Sequence, residues 1–417
     1  MKSSKRQRAA LGGRVRAVDG TGGAELPSLQ REDSSPAGAG AGPGGGASGG
    51  SRAKIRGRGR PFGAGGRHRQ DHTYAALDLG TNNCRLLIAR PAPRGSGQDG
   101  FKVIDSFSRI VRLGEGLSAT KEISAAAIER TIGALEVCRD KIHARGVTRS
   151  RLIATEACRS ARNGAEFLAQ VRKRLGLELE VVDRETEALL AALGSAALVD
   201  KAAEGAVLFD IGGGSCELVW LARAGEQGAH FSDGMLGGRI RFWVSASLGV
   251  VTLAEQFGGI EVSDAAFEAM VQCAGEEIAP FAARAGGERR CSQFHLLGTS
   301  GTVTTIAGVY LGLARYDRRR VDGLWMSSSQ VDHAVATLRK MTYGERAANG
   351  CIGLGRADLV LAGCAILEAI RRAFPAGRIR IADRGLRDGM LIQLMRGERG
   401  SHIGRSERKD PAVGAEI

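Results

Sequence analysis

The stretch LFDIGGGSCELVW, Leu208 to Trp220, sets three consecutive glycines behind an aspartate and between two apolar, β-type runs. Glycine weakens a strand interior and loses the most backbone freedom on folding, so three in a row need a reason. ALDLGTNNCRLLI, Ala76 to Ile88, repeats the grammar: an apolar pair, Asp, an apolar residue, Gly, three small or polar residues, Cys, one charge and an apolar run. Asp78 and Asp210, Gly80 and Gly212, and Cys84 and Cys216 fall in matching places. Strand, bare turn and strand make a hairpin whose backbone N–H groups converge on an anion, because no Cβ blocks its approach. The aspartates would repel phosphate; their useful role is to hold a hydrated Mg²⁺ that bridges to it. Two such hairpins facing across a cleft would clamp one polyphosphate from both sides.

A third glycine element, LLGTSGTVTTIAGV from Leu296 to Val309, reads as a strand, a Gly/Ser/Thr turn and a helix beginning near Gly301. Helix N-termini are anion sites in their own right. Between these motifs strands and helices alternate. Tyr74–Leu79, Arg85–Ala89, Lys102–Val111, Arg151–Thr155, Leu177–Val182 and Ala206–Asp210 read as strands. A helix is predicted from the N-cap Ser124 to Gly146, with the stripe Ile128, Ile132, Leu135, Cys138 and Ile142. Phe167, Leu168, Val171 and Leu175 line the next, ended by Gly176, and Glu185–Leu193 forms another. This is α/β grammar, run through twice.

At 417 residues the chain has room for two domains. Eight cysteines show no CxxC pair, which argues against a zinc site or a disulfide framework and for a reducing, cytoplasmic setting. The longest apolar stretch, Ala188–Val199, is too short to span a bilayer, so no membrane partner is expected. Net charge is +14, and residues 1–72 carry fourteen Lys/Arg against five Asp/Glu. That Gly/Arg-rich arm is expected to be disordered, a solvated tail able to make weak polyanion or nucleic-acid contacts. The expected layout is the arm at 1–72, domain I at 73–197, domain II at 198–396 and a short disordered tail at 397–417.

Beyond the glycine motifs lie ATEACRSARNG (Ala154–Gly164), RETEALL (Arg184–Leu190), GLGRADLVLAGCAIL (Gly353–Leu367) and ADRGLRDGML (Ala382–Leu391). In this order, over about residues 73–395, they resemble the exopolyphosphatase / guanosine pentaphosphate phosphohydrolase (Ppx/GppA) phosphatase family of the actin, sugar kinase and heat-shock chaperone superfamily. The resemblance implies two actin-like (ribonuclease H-like) α/β domains flanking a cleft, in the short two-domain form without the helical C-terminal domain of larger relatives. It implies Mg²⁺-dependent release of terminal phosphate from inorganic polyphosphate, with guanosine pentaphosphate as the alternative substrate. A non-enzymatic sensor of either ligand is the more remote reading, and an oligomer is left open.

By the same resemblance the catalytic glutamate is Glu187, with Glu185 its nearest competitor, and Arg159 contacts phosphate, with Arg162 able to share the task. Phosphate donors fall at Thr81, Asn82, Asn83, Gly212, Gly213, Gly214 and Ser215, and at Gly298, Ser300 and Gly301 of the third element. Asp210 and Glu217 are the metal-side carboxylates, with Asp78 a weaker one. ADRGLRDGML, with Arg384 and Arg387, is expected to begin the last packing helix of domain II, with a substrate role for its arginines left open. Asn83, Leu189 and Thr252 depart from the family pattern, which has serine, arginine and arginine there.

Overall fold

The computed structural model describes residues 72–92, 100–223, 236, 238–286 and 293–403. The expected disordered arm and its polyanion contacts lie outside the described residues, as does the chain beyond 403. Among the described residues no helix is long and apolar enough to cross a membrane.

The first sheet has five strands in the order β3-β2-β1-β4-β5. They are β1 (Tyr74–Leu79), β2 (Asn83–Pro91), β3 (Phe101–Ile110), β4 (Arg149–Ala154) and β5 (Glu180–Val181). β1, β2 and β3 meander antiparallel, and β4 and β5 continue parallel to β1. Helices α1 (Leu117–Thr120) and α2 (Ala125–Ala144) lead into β4, α3 (Glu156–Ser160) and α4 (Gly164–Leu175) into β5, and α5 (Arg184–Ser195) leaves the lobe. α2 starts at the predicted N-cap, where Ser124 Oγ accepts the Ala127 N–H at 3.2 Å. In β1, Ala75, Leu77 and Leu79 face a core with Ile132, Leu135 and Phe167, while Tyr74 and Ala76 face another. Both faces are covered, which is why the strand reads as a continuous apolar run. The strand expected over Leu177–Val182 shrinks to Glu180–Val181, an edge pair bonded on one side with Val181 exposed.

The second sheet has six strands in the order β10-β11-β9-β6-β7-β8. They are β6 (Gly205–Ile211), β7 (Cys216–Ala222), β8 (Ile240–Ala246), β9 (Phe294–Thr299), β10 (Trp325–Ser327) and β11 (Arg378–Ile381). Its helices are α6 (Val250–Phe257), α7 (Asp264–Arg284), α8 (Ser300–Tyr310), α9 (Arg318–Val321), α10 (Ser328–Lys340), α11 (Tyr343–Ala348), α12 (Val360–Ala373) and α13 (Leu386–Ile403). Read from β8 through β7, β6 and β9 to β11, the sheet repeats the order and strand senses of the first; β10 adds an antiparallel edge. The duplicated motif is thus a duplicated fold, two ribonuclease H-like lobes of the actin type.

The lobes exchange helices. α5, though read as part of domain I, packs Ala188, Ala191 and Ala192 against Leu208, Val219 and Leu221 of the second sheet. α13 was expected to pack within domain II; instead Leu386, Met390 and Leu391 join Tyr74, Ala76, Leu87 and Ile153 of the first sheet. Both helices lie between the two sheets, so each offers a face to either one. They touch each other at glycines: a methyl on Gly194 would strike the Gly385 carbonyl, and one on Gly389 that of Leu190. α13 also runs to Ile403, past the expected boundary at 396. On one side the lobes are bolted together. Arg112, held at φ 48, makes a two-pronged pair with Asp358 at 2.9 and 2.7 Å and donates to the Gly355 carbonyl at 3.1 Å.

Candidate active site

The two glycine hairpins are built alike. Gly80 N–H donates to Asn83 O and Gly212 N–H to Ser215 O, each at 2.9 Å, closing equivalent turns. β2 therefore starts at Asn83, two residues earlier than expected, and register follows from the turn: Asp78 faces Arg85 across the first hairpin, and Asp210 faces Glu217 across the second. The same rung carries a cation in one lobe and a carboxylate in the other. The tips meet in the cleft, where a methyl on Gly213 would lie 2.9 Å from Thr81 Cβ. Behind Gly213 and Gly214 sits Gly249, so close that a methyl there would collide with their shared peptide. Val250 and Val251 N–H groups, opening α6, hold the Gly212 and Gly213 carbonyls at 3.0 and 2.9 Å. Thr252, where an arginine was expected, closes this turn by hydrogen bonds with Gly249 N–H and C=O, each 3.0 Å.

Around the tips lies a cleft with a cavity volume of about 140 Å³. It is lined by Asp78, Thr81, Asn82, Asn83, Glu187, Asp210, Gly212, Gly213, Gly214, Ser215, Glu217, Ser300 and Gly301, which brings together most of the residues expected from sequence. Ser300 opens α8 at φ 79, a left-handed conformation that costs a non-glycine residue energy. Its Oγ donates to Ile211 O at 2.6 Å and ties β9 to the second hairpin.

Some expected residues stand elsewhere. Gly298 is inside β9, where a methyl would meet Phe209 and Val303 at 2.7 and 2.8 Å; it serves packing and does not line the cleft. Glu185 and Arg162 are exposed and point away. Arg159 does not line the cleft either. Its Nη2 donates to Glu187 Oε2 at 2.8 Å, its Nε and Nη2 to Glu156 Oε2 at 3.2 and 2.8 Å, and its Nη1 to Val182 O at 2.7 Å. The guanidinium stands behind Glu187 rather than facing a ligand.

Three cations also line the cleft: Arg85 of β2 and Arg356, which sequence reading passed over, and Arg387 at the start of α13, which it had singled out. The tips of Arg85 and Arg356 both lie within 3.4 Å of where a Gly301 side chain would begin, so glycine leaves them room. Arg356 bonds only carbonyls and the Thr305 hydroxyl. The side chains of Arg85 and Arg387 have no hydrogen bond or ion pair with another described residue. Burial, followed by the charge of Arg85, weakens the hold of Arg387 and Arg356 on their protons. Cations left in this state await an anion.

Burial weighs on the cleft carboxylates as well. Burial and then Asp78 raise Asp210 to about 6; burial and then Asp210 raise Glu217 to about 7, despite its 2.9 Å hydrogen bond from Ser245. Glu187 is pushed well up by burial and by Glu217, with Arg159 pulling the other way. Glu156 differs: burial raises it, but Ser160, Arg159 and Arg184 together bring it below the ordinary value. Among the described residues no three His, Cys, Asp or Glu side chains converge to hold a metal alone. One or two carboxylates plus water and phosphate oxygens is the way Mg²⁺ is held, so Asp210, Asp78 and Glu217 fit that ion.

A family model of the Ppx/GppA phosphatase family matches residues 92–398. The chain belongs to that family. It is similar to exopolyphosphatase 2 of Mycobacterium tuberculosis, 29% identical over 335 residues that cover 77% of this chain and 98% of that protein. Among solved structures, an exopolyphosphatase-like protein is 26% identical with a TM-score of 0.67, covering 78% of this chain and 99% of the other. The PPX-GPPA enzyme of Aquifex aeolicus is 27% identical with a TM-score of 0.61, covering 77% and 99%. As a phosphatase of this family the chain hydrolyses phosphate bonds, and the cleft between its two hairpins has the groups such a reaction needs.

Proposed function

We infer that the protein is a Mg²⁺-dependent exopolyphosphatase, releasing orthophosphate from the end of an inorganic polyphosphate chain. The observation that carries this reading is the make-up of the cleft. Three arginines without carboxylate partners face it, and no aromatic side chain lines it among the described residues. A linear polyanion needs only charge and donors, whereas a nucleotide base is commonly stacked on an aromatic ring. Guanosine pentaphosphate is therefore the second substrate to test rather than the first.

In this reading Glu187 takes a proton from the attacking water, and the water oxygen bonds the terminal phosphorus as the anhydride oxygen leaves on the shortened chain. Backbone N–H groups of the two hairpin tips hold the oxygens of the transferred group. Arg85, Arg356 and Arg387 bind the remainder of the chain. Mg²⁺ held by Asp210 and Glu217 would neutralise charge on the reacting phosphate. The cytoplasm, where such a substrate and free Mg²⁺ meet, is the expected compartment.

The test is Mg²⁺-dependent phosphate release from long-chain polyphosphate and from guanosine pentaphosphate, side by side, with wild type and Glu187→Gln. Release from polyphosphate that falls at least about 10³-fold in the variant supports the assignment. Release from guanosine pentaphosphate alone, or a variant as active as wild type, overturns the substrate or the base respectively.

A further inference from the structure

Glu156 opens α3 at the cleft wall and is only 12% exposed at its side chain. Its two oxygens are fully used. Oε2 accepts from Arg159 Nε and Nη2, and Oε1 accepts from Ser160 Oγ at 2.6 Å and Arg184 Nη2 at 3.2 Å. Arg159 in turn reaches Glu187 with the same Nη2 that it gives to Glu156. The three side chains thus form a bracket: carboxylate, guanidinium, carboxylate, with a further hold on the Val182 carbonyl. Only one oxygen of Glu187, Oε2, is held by it.

Arginine side chains give up much rotamer freedom when fixed, so a guanidinium reaching one carboxylate from a short helix would not stay put by itself. Here the second carboxylate pins it. A helix start favours a glutamate for its dipole, but α3 has only five residues, and a dipole does not need four donors aimed at one carboxylate. Glu156 also packs on the other lobe, since a methyl on Gly214 would lie 3.2 Å from its Cγ.

We propose that Glu156 is a positioning residue of the hydrolysis. By pinning Arg159 it fixes Glu187 Oε2, so that Oε1 is the oxygen presented to the attacking water. This rests on the reading of Glu187 as the base. Arg159 then serves the reaction through Glu187, and Glu156 serves it through Arg159.

The experiment is steady-state phosphate release from long-chain polyphosphate by full-length Glu156→Gln, Glu156→Asp, Arg159→Ala, the double variant Glu156→Gln/Arg159→Ala, and Glu187→Gln, each checked for wild-type thermal unfolding. Expected are a fall in kcat of roughly 10- to 100-fold for Glu156→Gln with KM within about threefold, and partial recovery in Glu156→Asp. Adding Glu156→Gln to Arg159→Ala should cost no more than about threefold further, because the bracket is already gone. A folded Glu156→Gln with wild-type kcat, a rise confined to KM, or full additivity in the double variant would overturn the proposal. Glu187→Gln separates the two levels. If it stays active the base itself is wrong; if it is dead while Glu156→Gln is normal, only the positioning role falls.

Discussion

Gly213 offers the most direct test of the idea that the two hairpins must close on one ligand. A methyl placed on it would lie 2.9 Å from Thr81 Cβ, 3.2 Å from Asn82 N and 3.3 Å from Thr81 Cγ2, all in the other lobe. Ordinary contact begins at 3.4 Å, so the tips must part by about half an ångström. Gly213 cannot retreat, because Gly249 fills the space behind it and Val251 N–H holds its carbonyl at 2.9 Å. Nor is the backbone the obstacle, since Gly213 is not among the described residues with positive φ. The methyl is therefore a wedge between lobes, not a fault inside either. Since a misplacement of about 1 Å can cost roughly 10²-fold, half of it should lower kcat/KM by roughly tenfold in Gly213→Ala. Urea unfolding should change by less than about 1 kcal/mol, as neither hydrophobic core is touched. Gly133→Ala is the control: it sits inside α2 with nothing within 4 Å, and should gain about 0.5–1 kcal/mol with activity unchanged. A Gly213→Ala enzyme with wild-type kcat/KM, or one that loses activity only in proportion to stability, would refute the closure argument.

Three further outcomes concern charged groups of the cleft and of the lobe clasp. Glu217 has a folded pKa raised to about 7, so its contribution is present below the unfolded value and is lost as pH rises through about 7. Glu217→Gln should then stabilise the apoprotein by on the order of 3 kcal/mol at pH 8 and by nothing at pH 4.5, read by urea unfolding; equal gains at both pH values would contradict it. Arg387→Met, removing a buried cation that has no ion pair among the described residues, should leave stability unchanged or higher while raising KM for long-chain polyphosphate at least about tenfold. A destabilised variant with normal KM would assign Arg387 to the fold instead. Breaking the lobe clasp with Arg112→Ala should enlarge the radius of gyration of the free protein in X-ray scattering. In a cycle with Asp358→Ala the pair should show a coupling of about 1–2 kcal/mol, and additive effects would deny the clasp.

The duplicated fold was legible because it needs a short local signal twice: an apolar strand, an aspartate and a bare turn. Glu187 was named from the family resemblance, and the structure sets it in the cleft wall while Glu185, two residues away on α5, is exposed. Arg159 was read as a phosphate ligand from the family resemblance; nothing local says that two carboxylates from α3 and α5 have already taken its guanidinium. Gly298 was misread for a similar reason, as its need for space comes from Phe209, a residue on another strand. The exchange of α5 and α13 was hidden too, because an apolar stripe shows that a helix is buried but not on which sheet. Arg356 and Arg387 reach the cleft from segments far along the chain, and no spacing rule connects them to it.

Arg85 is the instructive omission, because it lies inside the quoted motif. A turn closed by Gly80 on Asn83 puts Asp78 opposite Arg85, just as the turn closed by Gly212 on Ser215 puts Asp210 opposite Glu217. That register could have been counted from the sequence, and it breaks the symmetry of the repeat. Two identical hairpins would offer a polyphosphate the same face from both sides and would give it no direction. With a cation on one rung and a carboxylate on the other, the first hairpin has charge of its own for phosphate oxygens, while the second needs an intervening cation before it can approach one. On the proposed reading a metal ion would be held from the second hairpin, the one whose Glu217 charge reaches Glu187, while the first hairpin brings Arg85.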